Sequence, residues 1–119
     1  FPPINPLTET QADEKWFNRL NEIIQENISN TEFSVDQLTR SVNMSRTLLY
    51  AKVKAVTGLT PNEFIRLVRL RKAAEYLAGN EYKINEICYM VGFNSPSYFA
   101  KCFQNQFGVL PKDFINNTN

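Results

Sequence analysis

Two short stretches carry the residues whose types and spacing could do chemistry. "MSRTLLYAKVKAVTG", Met44 to Gly58, places Arg46, Thr47, Tyr50, Ala51 and Lys54 on one side of a helix opened by Ser45. "NSPSYFAKCFQNQFG", Asn94 to Gly108, does the same with Pro96, Ser97, Ala100, Lys101 and Gln104 behind Ser95. The chemistry on offer is recognition. Arg, Ser, Thr and Gln bond base edges or phosphates, and small residues between them permit close approach to a groove. The serine-capped N-termini also present backbone N–H groups that suit a phosphate.

Catalysis finds no comparable constellation. The chain has no histidine, which removes the commonest general base and the commonest metal ligand together. It contains no GxSxG, no phosphate-binding glycine loop and no HExxH. Cys88 and Cys102 lack a metal-ligand spacing and sit among apolar residues, so they are expected to be reduced core thiols of a cytosolic protein. No cofactor, no metal and no enzymatic activity are expected of this chain.

The elements that must position the two faces are helices. After a proline-rich start, "FPPINPLTETQ", a helix is expected from Asp13, with Trp16, Leu20, Ile23, Ile24 and Ile28 on one face. Ser34 and Gln37 form a capping-box pair before Val35, Leu38 and Val42. Asn43 allows a left-handed turn, Ser45 caps again, and Leu49, Val53 and Val56 face inward. Gly58 stops that helix and Pro61 opens a longer one, ending near Gly79-Asn80. Ile84, Ile87 and Val91 then stripe a short helix before Gly92. Ser95 and Pro96 start the next, with Phe99 and Phe103 inward and Gly108 at its end. Pro111 opens a last helix with Phe114 and Ile115.

One unit is thus written twice. Ser45, Gly58, Pro61, Phe64 and Ile65 match Ser95, Gly108, Pro111, Phe114 and Ile115 at an offset of fifty. Val35, Leu38 and Val42 match Ile84, Ile87 and Val91 at forty-nine, with Asn94 the extra residue. Short helix, tight turn and capped helix make a helix-turn-helix, with the small Thr39 and Cys88 at the close crossings. The expected fold is all-α, about seven helices, with two helix-turn-helix subdomains joined by a long linker helix. The expected division is a linker over 1–12, the first unit with its linker helix over 13–78, the second unit over 79–116, and a tail over 117–119. Pro61 to Ala78 is eighteen residues, about 27 Å of helix. Successive major-groove faces lie about 34 Å apart.

Charge is unevenly spread. Residues 1–33 hold two basic and six acidic side chains; the remainder holds eleven basic and six acidic. The basic body favours a polyanion. No apolar run reaches membrane-span length, and no signal-peptide pattern is present. A chain that opens on Phe is expected to be part of a longer protein.

These residues resemble the AraC/XylS transcription regulators over roughly Phe17 to Phe114. "VGFNSPSYFAKCFQNQFGVLPKDF" is similar to that family's signature over the second helix-turn-helix, and "MSRTLLYAKVKAVTGLTPNEFIRLVRLRKAAEYL" matches its first recognition and linker helices. The resemblance implies double-stranded DNA as partner, read in two adjacent major-groove segments. It places Arg46, Thr47, Tyr50 and Ala51 at the first base-reading face, and Pro96, Ser97, Ala100 and Lys101 at the second. Ser45, Lys52, Lys54, Arg66, Ser95 and Gln104 are the phosphate candidates, with Arg71 and Lys72 beside them. Arg69 looks like the family's structural arginine, given to packing and ion pairing. Two departures stand out: Ala51 replaces a basic or polar reader, and Pro96 can only pack on a base methyl or sugar.

The leader resembles the junction between a receiver domain and this module in hybrid two-component sensors. That likeness implies an upstream receiver domain, a cytoplasmic location at the inner end of a membrane-anchored sensor kinase, and dimerisation through other domains. RNA polymerase is a further implied partner. The competing expectation is a helical protein-interaction module without DNA affinity. RNA reading fits less well, because the aromatics follow core positions.

Overall fold

The computed structural model describes residues 10–118, and side chains as far as Ile115. The described residues form seven helices: α1 (Gln11–Glu26), α2 (Val35–Val42), α3 (Arg46–Thr57), α4 (Pro61–Gly79), α5 (Ile84–Met90), α6 (Pro96–Phe107) and α7 (Pro111–Thr118). No strand occurs among them. No helix among them is long and apolar enough to cross a membrane. The chain divides into two compact units, Phe1–Asn27 with Phe33–Arg66, and Ile28–Glu32 with Leu67–Asn119. The division falls inside α4, so the first turn and a half of that helix belongs to the first unit.

In the first unit, α1 starts at Gln11, two residues before the expected Asp13. The reason is Thr10, whose hydroxyl accepts the Asp13 N–H at 3.0 Å. Phe17, Leu20, Ile23 and Ile24 line the buried side of α1. Phe33, Val35, Leu38, Leu49, Val53, Val56, Phe64 and Ile65 are buried in the same unit. The Phe17 and Phe64 rings meet at 5.6 Å. The expected capping pair is present: Ser34 N–H donates to Gln37 Oε1 at 3.0 Å. A second pair opens α4, where Thr60 N–H donates to Glu63 Oε1 at 2.9 Å and Thr60 Oγ1 accepts Glu63 N–H at 3.2 Å. The Thr60 N–H bond to the carboxylate first, and the Thr60 hydroxyl second, hold the Glu63 carboxyl below its ordinary range.

In the second unit, Leu70, Ala73, Ala74 and Leu77 of α4 pack with Ile87, Cys88 and Val91, and with Phe93, Phe99 and Phe103. The aromatic rings run as a chain. Phe93–Phe99 centroids are 5.2 Å apart, Phe99–Phe103 5.9 Å, and Phe103–Phe114 5.5 Å. Both cysteines are free thiols; Cys88 is fully buried, and Cys102 is half-buried at the edge of this core. Burial pushes the Cys88 thiol pKa up, which disfavours the reactive thiolate.

The sequence repeat reappears as a repeat of backbone hydrogen bonds. Met44 N–H donates to Thr39 O at 3.1 Å, and Phe93 N–H to Cys88 O at 3.0 Å. Asn43 turns left-handed at φ 54° and Gly92 at φ 90°. Gly58 closes α3 on Lys54 O at 2.8 Å, and Gly108 closes α6 on Gln104 O at 2.8 Å. The same local chemistry therefore builds the same turn and the same stop twice.

Arg69 is buried in the second unit, only 6% exposed. Its Nη1 donates to Ile28 O at 2.6 Å and Val91 O at 2.8 Å, and its Nη2 donates to Asn30 O at 3.1 Å. The expected packing role holds, but main-chain carbonyls stand where an acidic partner was expected. They satisfy the guanidinium without a carboxylate. Burial lowers its pKa from the usual arginine value.

Candidate nucleic-acid interface

Each candidate reading helix buries one side and exposes the other. On α3, Leu49, Val53 and Val56 are buried, whereas Arg46, Thr47, Tyr50, Ala51 and Lys54 are exposed. On α6, Phe99 and Phe103 are buried. Ser97, Lys101 and Gln104 are exposed, and Pro96 and Ala100 half-buried. The caps match as well. Ser45 Oγ accepts Leu48 N–H at 3.1 Å, and Ser95 Oγ accepts Tyr98 N–H at 3.3 Å. Each serine has thus committed a lone pair to its helix, and Ser95 Oγ also lies 3.2 Å from Ser97 Oγ. Pro96 sits at the first helical position, where its missing N–H costs no hydrogen bond.

The charged candidates differ in their surroundings. Lys54 and Lys101 are exposed, and Arg66 and Arg71 are half-buried on α4. Lys52 turns toward α1, with Nζ 3.8 Å from Asp13 Oδ1 and 4.7 Å from the Trp16 ring centroid. The Trp16 indole N–H in turn donates to Met44 Sδ at 3.3 Å. Lys52 therefore clamps α1 to α3, and a phosphate contact would have to draw it out of that site. Lys72 lies 3.3 Å from Glu75 and 5.3 Å from the Tyr76 ring centroid. Arg46, at the first position of α3, pairs with Asp36 in the first turn of α2 through Nη1 and Oδ1.

Three residues at these faces lie outside the expected base-reading and phosphate-contacting sets. Leu48 and Tyr98, equivalent at the offset of fifty, are 56% and 50% exposed near the starts of α3 and α6. Their spacing signal was available: both fall outside the inward stripe. Asp36 lies ten residues before Arg46, across a turn, where no helical spacing predicts a meeting.

The family described as "Helix-turn-helix domain" matches residues 38–117. The chain belongs to the AraC-type helix-turn-helix family. As an AraC-type domain it is a DNA-binding, transcription-regulating module. It is 41% identical over 110 residues to "Histidine kinase P4" of Formosa agariphila, covering 92% of this chain and 8% of that protein. It is 34% identical over 98 residues to "HTH-type transcriptional regulator MtrA" of Neisseria gonorrhoeae, covering 81% of this chain and 33% of that one. Among solved structures, the C-terminal domain of AraT, a response regulator from Geobacillus stearothermophilus, superposes with a TM-score of 0.78 at 26% identity. That match covers 86% of this chain and 84% of the other. The AraC-type chain thus spans a third or less of the length of both sequence relatives.

Proposed function

We propose that this AraC-type chain is the DNA-reading output of a hybrid two-component regulator, with α3 and α6 each entering a major-groove segment of one duplex. The observation that carries this reading is the matched pair of helices. Each has an inward apolar side, a serine cap, a glycine stop and an exposed face of small residues and donors. In it, Arg46, Thr47, Tyr50 and Ala51 read bases from α3, and Pro96, Ser97, Ala100 and Lys101 read from α6. Ser45, Lys54, Arg66, Ser95 and Gln104 face phosphates. Lys52 joins them only by leaving Asp13 and Trp16.

The likeness to a histidine kinase and to a response-regulator domain supports an upstream receiver domain and a phosphorelay in the longer protein. RNA polymerase as a contact, dimerisation through other domains and a cytoplasmic setting follow from the same reading.

The deciding measurement is fluorescence anisotropy on random-sequence duplex DNA across a salt series. Counterion release predicts a log–log slope of about −0.9 for each phosphate neutralised. A folded chain with no duplex affinity at low salt would turn the assignment toward a protein partner. Once a preferred duplex is selected, Arg46→Ala is expected to weaken discrimination at one or two base pairs. The cost is about 1–3 kcal/mol for a bidentate guanine contact. Equal weakening on every sequence would make Arg46 a phosphate contact instead.

A further inference from the structure

We propose that Asp36 is a specificity-determining positioning residue, acting through Arg46. The inference rests on the reading of Arg46 as a base contact. The two side chains come from different helices of the first unit, α2 and α3, and both are largely exposed, at 65% and 61%. As a contribution to folding, such a pair is worth little. Its consequence lies in what remains available to DNA.

A guanidinium carries five N–H donors, and the Asp36 carboxylate engages it through Nη1. The other donors stay free for a second acceptor. That acceptor is selected by charge. A phosphate oxygen approaching the pair meets the like charge of the carboxylate. The neutral acceptors of a base edge, such as guanine O6 and N7, meet far less repulsion. Non-sequence binding draws on uncompensated cations that release counterions, and a paired Arg46 is not one of them. Asp36 thus withholds Arg46 from the phosphate backbone while leaving it able to read a base.

Asp36 also sits in the first turn of α2, where the helix dipole favours an acid. That role would act on stability alone and would be the same whether or not Arg46 is present. A four-protein comparison separates the two roles: wild type, Asp36→Asn, Arg46→Ala and the double variant, each first shown by circular dichroism to retain its helix content. Each is titrated by anisotropy against the duplex selected by the wild type and against a scrambled duplex, across a salt series. In the wild-type background, Asp36→Asn is expected to tighten scrambled-duplex binding about three- to tenfold at low salt. It should also steepen the salt slope by about 0.9 and lower the selected-to-scrambled ratio. In the Arg46→Ala background the slope and the ratio should stay put. Equal changes in both backgrounds would reduce Asp36 to a net-charge effect and overturn the proposal, with duplex binding by the wild type intact. An unchanged selected-to-scrambled ratio for Arg46→Ala alone would overturn the Arg46 reading, and the proposal with it. Absence of duplex binding by the wild type would instead fell the DNA assignment itself.

Discussion

Gly92→Ala is expected to unfold the second unit. Gly92 stands at φ 90°, where a residue with a Cβ is strained by about 1–3 kcal/mol before any contact is considered. The contacts are worse. A Cβ built there would lie 1.4 Å from Arg69 Nη1 and 2.4 Å from the Ile28 carbonyl oxygen. One of these is backbone and cannot swing away. The other is held by the carbonyls of Ile28, Val91 and Asn30. Moving the guanidinium aside would strand a buried charge and break charge-assisted bonds, each worth about 1.5–3 kcal/mol. Together these losses rival the whole stability of a small domain, about 5–15 kcal/mol.

Urea denaturation followed by circular dichroism, with amide hydrogen exchange resolved along the chain, reads the result. Protection should collapse in α5 and α6. Full protection there would show that the Arg69 cage does not hold the turn. The companion Arg69→Lys should also destabilise, because an ammonium on a flexible stem cannot reproduce the planar fork that spans these carbonyls. Gly92→Ala should cost less in an Arg69→Met background than in the wild type, since the side-chain clash is gone while the backbone strain remains.

Phe99→Ala is the second large effect. Phe99 is fully buried on the inner side of α6, with the Phe93 ring 5.2 Å away and the Phe103 ring 5.9 Å away. Deleting a core aromatic costs about 3–5 kcal/mol, the lost transfer energy plus the cavity. The same helix carries Ser97, Lys101 and Gln104 on its outer side, so DNA binding should fall because the scaffold of that face is lost. Ser97→Ala, an exposed change, should leave stability within about 0.5 kcal/mol. Thermal and urea unfolding of the two variants make the comparison. A Phe99→Ala protein of wild-type stability that had lost only its DNA binding would reverse the inward and outward assignment of α6.

Much of this architecture was legible in the residues because it is local. Caps, stops and turns are decided within four or five residues. Hence Ser45 and Ser95, Gly58 and Gly108, and Asn43 and Gly92 stand where their chemistry places them. The inward stripes of α3 and α6 follow from helical period alone, and the candidate reading faces are what the stripes leave outside. α1 starts two residues before the Asp13 that the sequence suggests, because its cap, Thr10, stands in a stretch whose prolines read as linker.

What the tertiary structure decided lies between residues far apart in the chain, where neither period nor cap carries a signal. Arg69 reaches Ile28 across forty-one residues and takes carbonyls instead of an acid. That choice explains why Gly92 must be glycine for clearance as well as for its φ. Lys52 faces Asp13 and Trp16 because α1 passes beside α3, and a count of surface lysines could not foresee it. The same holds for Asp36 beside Arg46. The sequence alone determined the helices, their ends and the repeat, since these are satisfied by neighbouring backbone groups. Only tertiary packing decided which of the charged side chains remain available to a polyanion, since that depends on which helices the chain brings alongside them.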